Sequence, residues 1–130
     1  MLDKIHWLGH ASFFIDAPSA KIYIDPYQIK RESPEADLIL ITHDHFDHFS
    51  PGDIKKIAKS DTVLVGPSSI SGKLNYTTKI ISPGEKIVLK GVEIEGVSAY
   101  NVNKNFHPKK MGYLGFVLNL ENTRIYHAGD

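Results

Sequence analysis

The chain has 130 residues, enough for one domain with its own hydrophobic core, and no apolar run approaches the roughly 18 residues that span a membrane, so a cytoplasmic protein is expected. Its 15 lysines and arginines balance 15 aspartates and glutamates, which leaves no net field to attract nucleic acid or an anionic membrane surface. It contains no cysteine, which excludes disulfides and thiolate metal sites and leaves histidine and carboxylate as the strong metal ligands.

Alternation of apolar and polar residues predicts a β-meander at the N-terminus. Three short strands are expected over 5–7, 13–15 and 22–24, with an Ala-Pro-Ser turn at 17–19. The polar stretch 26–36 contains two prolines and is predicted to be a loop.

An apolar run and a helix start follow this loop. Residues 37–42 are typical of a strand covered on both faces. A helix is predicted to begin at Ser50 and to reach about Lys59, because serine is a favourable N-cap residue and Pro51 suits the first helical position. The charge of Asp53 suits the positive end of the helix dipole.

The rest of the chain is predicted to form further short strands. They are a strand over 62–65, a loop or short helix over 67–76, a strand over 78–82, two strands over 86–89 and 92–97 joined by a turn at 90–91, a polar loop over 101–112, and strands over 113–120 and 124–126 around a turn at 121–123. The chain is therefore expected to be strand-rich with few helices.

Histidines and aspartates are crowded between the apolar strand and the helix, where residues 42–48 read THDHFDH. In an extended segment, residues two positions apart face the same way, so His43, His45 and Asp47 can converge on one point. His48 can swing to an adjacent position where the chain turns toward the helix. Two neighbouring metal sites are predicted.

Two other interpretations of this cluster are less favourable. A polar surface loop is disfavoured because such crowding perturbs the pKa values of its members unless a cation organises them. A purely structural zinc site is disfavoured because such sites usually contain cysteine.

Residues 43–48 resemble the HxHxDH signature of the metallo-β-lactamase superfamily. The segments 7–12, 24–26 and 126–130, which read WLGHAS, IDP and YHAGD, resemble one branch of it, similar to ascorbate-6-phosphate lactonase and to the phospholipase D that hydrolyses N-acylphosphatidylethanolamine. The resemblance implies an α+β fold, the four-layer αβ/βα sandwich. Residues 1–130 would be a single domain, truncated at the C-terminus, that contains the first half and the start of the second.

The resemblance also implies roles for individual residues. His43 and His45 would bind a first metal ion, Asp47 and His48 would bind a second, and Asp130 would bridge the two. The implied activity is metal-dependent hydrolysis, in which a metal-bound hydroxide, held with the help of Asp47, attacks an ester, lactone, amide or phosphodiester bond of a small-molecule substrate. Two divalent ions are implied, zinc first, with manganese or iron as alternatives.

Four further residues have open roles. Asn101 stands where many relatives have the third histidine of the first site, and His107 is expected either to supply that ligand or to lie beside the substrate. His10 is expected in the core or at the rim of the active site. Asp25 is either a turn residue or a partner that orients the metal loop.

Relatives in this superfamily continue beyond the position of Asp130, and a later histidine completes their second metal site. The second site of this chain is therefore expected to be incomplete, and the inner face of the first sheet to be uncovered, which would favour a homo-oligomer through that face. The alternative function is a catalytically incomplete half-domain that binds one metal or dimerises. A nuclease is disfavoured by the balanced charge.

Overall fold

A computed structural model of the chain describes residues 4–98, 114–120 and 123–128. The first sheet contains, in spatial order, β1 (Ile5–Gly9), β2 (Ser12–Asp16), β3 (Lys21–Ile24), β4 (Leu38–Leu40), β5 (Val63–Gly66) and β6 (Thr77–Ile80). The second sheet contains β7 (Lys86–Leu89), β8 (Val92–Ser98), β9 (Leu114–Leu120) and β10 (Thr123–His127), in the spatial order β10-β9-β8-β7. Helix α1 (Pro51–Ile57) joins β4 to β5, and a 3-10 turn (Ser68–Ile70) joins β5 to β6.

The direction of the strands changes within the first sheet. Strands β1, β2 and β3 are antiparallel, which confirms the predicted meander, whereas β3, β4, β5 and β6 run parallel. Carboxyl ends of parallel strands lie at the same edge of a sheet, so the residues that follow β3 and β4 are brought together there. The predicted loop over 101–112 lies outside the described residues.

The two sheets pack face to face and share one hydrophobic core. On the first sheet this core includes Ile22, Leu38 and Leu40, and on the second it includes Ile94 and Phe116, all of them buried. The expectation that the inner face of the first sheet is uncovered is therefore wrong, because the second sheet covers it. This packing also removes the physical reason for an oligomer formed through that face.

The opposite face of the first sheet is covered by helix α1 and its neighbouring loops. Ile54 and Ile57 of the helix pack against Tyr23, Ile39 and Leu64 of the sheet. The strands β3, β4 and β5 are thus buried on both sides, as the apolar run 37–42 predicts for β4. No helix in the described ranges is long and apolar enough to cross a membrane.

The start of helix α1 differs in detail from the predicted cap. The helix begins after Ser50 as expected and ends at Ile57, two residues before the predicted end. The Ser50 hydroxyl forms no capping hydrogen bond with the backbone of the first helical turn and donates instead to Asp53 Oδ2, at 2.7 Å. Asp53 also accepts the backbone N–H groups of Gln28 and Ile29, at 2.9 and 3.0 Å. Its carboxylate therefore fastens the loop 26–36 to the helix.

These contacts set the ionisation of Asp53. Burial alone would raise the pKa of this carboxyl group, but the hydrogen bonds from Ser50, Gln28, Lys56 and Ile29 outweigh it and hold the pKa below its usual range. A carboxyl group with a lowered pKa in the folded state adds stability above its unfolded pKa of about 3.9, and this contribution is lost as the pH falls through the folded value.

We expect Asp53→Asn to lower the free energy of unfolding at pH 7 by about 1 to 3 kcal/mol, because buried backbone N–H groups lose a charged acceptor. The difference between the two proteins should shrink as the pH falls below about 4. Urea unfolding at several pH values measures both effects. Asp61→Asn is the control, because the Asp61 side chain is 67% exposed. A difference that stays constant with pH would contradict this role of Asp53.

Candidate metal centre

The candidate site lies at the carboxyl edge of β3 and β4. Asp25 follows β3 directly, and Thr42 and His43 follow the end of β4. The backbone N–H of Asp25 donates to the carbonyl of Leu40 at 2.9 Å, which continues the pairing of the two strands. The carbonyl of Thr42 accepts the N–H of Leu114, the first residue of β9, at 2.9 Å. Both sheets therefore hold the start of the segment 42–48, which we call the histidine loop.

Asp25 is fully buried and binds the histidine loop through both carboxylate oxygens. Its Oδ1 accepts the backbone N–H of Thr42 at 2.8 Å, and its Oδ2 accepts the Thr42 hydroxyl at 2.7 Å and Nδ1–H of His48 at 2.7 Å. Its backbone has a φ of 47°, a left-handed conformation that costs an L-residue roughly 1 to 2 kcal/mol. These hydrogen bonds hold the residue in that conformation.

The hydrogen bonds of Asp25 also fix the tautomers of two histidines. The Thr42 hydroxyl has one proton, with which it donates a hydrogen bond to Asp25, so its oxygen accepts the hydrogen bond from Nδ1–H of His43, 2.8 Å away. Nδ1 of His48 donates directly to the carboxylate. In each neutral ring Nε2 is then the nitrogen with a lone pair, which is the form that binds a metal ion.

The histidine loop turns earlier than the sequence suggests. The N–H groups of His48 and Phe49 both donate to the carbonyl of His45, at 2.9 and 2.8 Å, so the segment is not extended as far as Asp47. The extended geometry from which the convergence of His43, His45 and Asp47 was expected therefore ends at His45. The turn instead brings the His48 ring to 4.0 Å from the His43 ring, and the His45 ring lies 4.5 Å from His43, measured between centroids.

Asp47 lies on the open side of the cluster beside His10. Nε2–H of His10 donates to Asp47 Oδ2 at 2.8 Å, and Nε2 of His48 is 3.8 Å from Asp47 Oδ1. Burial alone would raise the pKa of Asp47, but the hydrogen bond from His10 outweighs it and lowers the pKa. His10 is exposed, so the structure places it at the rim of the site and not in the core.

Two groups of histidine and aspartate side chains have possible ligand atoms within 4.8 Å of one another: His10, Asp47 and His48, and Asp25, His43 and His48. In the second group Asp25 is occupied by its hydrogen bonds and acts as the partner that orients the two histidines. Imidazole nitrogens with carboxylate oxygens are a donor set that suits zinc and similar divalent cations. The residues present therefore fit a metal centre. His107, Asn101 and Asp130 lie outside the described residues.

Some residues of the site were missed by sequence reasoning. Thr42 could have been found from its place at the end of a buried strand, directly before the first histidine of the loop. Tyr27 could not, because its contact with His10, at 5.8 Å between ring centroids, joins distant segments. The Tyr27 ring also meets that of Phe46, which is 77% exposed. Neither local periodicity nor the motif indicated this aromatic surface.

Comparison with known proteins gives consistent matches along the chain. The family model described as a beta-lactamase superfamily domain matches residues 4–130. The UPF0173 metal-dependent hydrolase of Thermococcus kodakarensis is 36% identical over 142 aligned residues, which cover 98% of this chain and 61% of that protein. A second UPF0173 metal-dependent hydrolase, from Thermococcus onnurineus, is 37% identical with the same coverage.

Solved structures show the same fold. The crystal structure of a proposed metal-dependent hydrolase from Parabacteroides distasonis superposes with a TM-score of 0.89 at 32% identity, covering 97% of this chain and 60% of that one. The metallo hydrolase Igni18 from Ignicoccus hospitalis, at 19% identity and a TM-score of 0.72 over 97% of this chain and 60% of its own, supports the fold alone. The chain thus spans about 60% of the length of these relatives.

We expect Thr42→Val to weaken zinc binding by about 10- to 100-fold, the usual effect of removing a partner of a metal ligand. Valine keeps the shape of threonine but cannot bridge His43 and Asp25, so the His43 tautomer is no longer fixed. Thr42→Ser restores the hydroxyl and is the matched control. Competition with a chromophoric chelator measures the affinity. Equal affinities of the valine and serine variants would refute the bridge.

Proposed function

Since the chain belongs to the family of beta-lactamase superfamily domains, which matches residues 4–130, we propose that the protein is a metal-dependent hydrolase. The observation that carries the proposal is the arrangement around Asp25, where one buried carboxylate orients His48 directly and His43 through Thr42. A surface loop has no need of such an arrangement. The arrangement of Asp25, Thr42 and the two histidines serves to present imidazole nitrogens to a cation.

Two divalent ions are proposed as cofactors, zinc first, with manganese or iron as alternatives. His43 and His45 are proposed as ligands of the first ion, Asp47 and His48 as ligands of the second, and Asp130 as the bridge between them. The short distances between the rings of His43, His45 and His48 support this set. His107 is proposed for the remaining position of the first site, with Asn101 as the alternative.

The two aspartates of the histidine loop differ in their proposed roles. Bound divalent ions would make water acidic and polarise the bond under attack. Asp47, whose pKa is lowered, accepts the hydrogen bond from Nε2–H of His10 on Oδ2, and its Oδ1 would bind the second ion and help to hold the attacking water. Lys73 binds Oδ2 of Asp44 at 2.9 Å, which draws that second carboxylate of the loop into an ion pair.

The proposed substrate is a small molecule with an ester, lactone, amide or phosphodiester bond. The balanced charge of the chain offers no surface that would follow a nucleic acid backbone. Since the chain spans about 60% of its relatives, one alternative is kept, a half-domain that binds metal without catalysis. A cytoplasmic location stays a prediction, and so does a homodimer, although not through the inner face of the first sheet, which the second sheet covers.

The double variant His43→Ala, His45→Ala tests the proposal. We expect it to lose bound metal, measured by elemental analysis after dialysis, and to lose more than about 100-fold of its hydrolytic rate, because even partners of metal ligands contribute 10- to 100-fold. The rate is measured on chromogenic esters, lactones, amides and phosphodiesters with added zinc or manganese. His6→Ala is the control, because His6 is an exposed residue of β1 that stacks on Phe14.

Three outcomes are distinguished. Loss of both metal and activity in the double variant, with His6→Ala unchanged, supports the hydrolase. Metal binding by the unaltered protein without hydrolysis of any substrate favours the half-domain. Unchanged metal content and rate in the double variant would overturn the proposed site.

A further inference from the structure

A cleft of about 350 Å³ lies beside the candidate metal centre, between β1 and the loop 26–36. This volume lies in the range of about 300 to 1,000 Å³ that is usual for small-molecule sites. It is lined by Trp7, Leu8, Gln28, Ile29, Lys30 and Ser33. We call it the Trp7 cleft. None of its lining residues belongs to the proposed metal centre.

One wall of the Trp7 cleft is held rigidly by helix α1. Asp53 accepts the backbone N–H groups of Gln28 and Ile29, and the Lys56 ammonium donates to the carbonyl of Ile29 at 2.9 Å. The wall is therefore formed before any ligand arrives. Such preorganisation lowers the entropic cost of binding.

The opposite wall carries a large apolar ring that faces solvent. Trp7 is 68% exposed. An indole ring stabilises a protein or a complex mainly through the apolar area that it buries, and most of this area is still uncovered here. Its Nε1–H donates to the carbonyl of His10 at 2.9 Å, which fixes the ring. A flat apolar group that entered the cleft would cover this ring without displacing any side chain of the core.

The cleft also carries a positive charge. Lys30 is exposed, and no carboxylate in the described part of the chain forms an ion pair with its ammonium group. A ligand with an apolar body and a negative charge would therefore complement the cleft in both shape and charge. A neutral apolar compound would match the shape of the cleft but not its charge.

The Trp7 cleft and the candidate metal centre share their boundary. Trp7 binds the backbone of His10, whose side chain donates to Asp47. On the other side, the Gln28 amide donates to the hydroxyl of Tyr27 at 3.4 Å, and the Tyr27 ring contacts the His10 ring. One part of a ligand could therefore occupy the cleft while another part of the same ligand extends toward the metal centre.

We propose that the Trp7 cleft binds the non-reacting part of the substrate, a flat apolar group that carries a carboxylate, sulfonate or phosphate. The role as part of a substrate rests on the proposed hydrolase function. Binding in the cleft requires no metal ion, so the two can be tested separately.

The binding experiment uses anilinonaphthalene sulfonate, an aromatic anion, in the presence of EDTA. Because Trp7 is the one tryptophan of the chain, quenching of its emission by energy transfer reports the bound probe, and the variants below locate the site. We expect saturable quenching by the sulfonate probe, weaker quenching by neutral phenylnaphthylamine, and none by inorganic sulfate. A cleft already filled by another part of the chain would give no saturable quenching, which would overturn the proposal.

Two variants and two matched controls locate the bound probe through its own emission. Trp7→Ala should weaken binding by about fivefold or more, since aromatic contacts contribute about 0.5 to 1.5 kcal/mol beyond their buried area. Lys30→Gln should remove the preference for the charged probe. Val88→Ala, an exposed apolar residue of β7, and Lys86→Ala of the same strand should have no effect. Circular dichroism verifies that each variant is folded.

Equal binding by the cleft variants and the controls would overturn the proposal. A kinetic arm then tests the link to the reaction with two nitrophenyl esters, one of acetate and one of an aromatic dicarboxylate. Trp7→Ala should raise KM for the aromatic ester more than KM for the acetate ester, and Val88→Ala should change neither. Equal changes in KM for the two esters would overturn the link to the reaction. The hydrolase proposal itself is decided by the wider set of substrates above, and the binding arm decides whether the cleft takes an aromatic anion.

Discussion

The buried carboxylate of Asp25 is the constraint on which the candidate site depends. An ionised group taken out of water costs several kcal/mol unless its lone pairs are satisfied, and here two residues of the histidine loop satisfy them. The same hydrogen bonds that make this charge tolerable also order Thr42 and His48. Removing the carboxylate would therefore disturb the loop as a whole, because each of its partners would be left buried with an unmet hydrogen bond.

The sheet topology separates this chemistry from the stability of the fold. The core between the two sheets is apolar and holds residues such as Leu38, Leu40 and Phe116. The polar residues follow the ends of β3 and β4, where parallel strands bring their carboxyl ends together. Side chains at this edge can vary without a change in the core. The fold therefore supports many chemistries, and the residues of the site decide among them.

Much of this structure follows from local sequence. Apolar periodicity located the meander and the buried strands, and the crowding of histidines located the loop. The turn at His45 and the role of Asp53 did not follow, because both are decided by contacts with distant segments. Ser50 and Asp53 obey the local rule for a helix start, yet the carboxylate binds the backbone of Gln28 and Ile29 instead. The apolar pattern of a strand also does not reveal which other sheet packs against it. For this reason the covering of the inner face of the first sheet by the second was not foreseen.

The hydrogen bond from the N–H of Leu114 to the carbonyl of Thr42 has a consequence for the order of folding. It joins the second sheet to the first residue of the histidine loop, across a long stretch of sequence. Contacts of this kind form late, since the chain must first close a large loop. A cation bound by His43 would then select molecules in which the second sheet is already docked. Because binding to the folded state favours that state, a cation at His43 would stabilise the docking of the second sheet as well as the histidine loop.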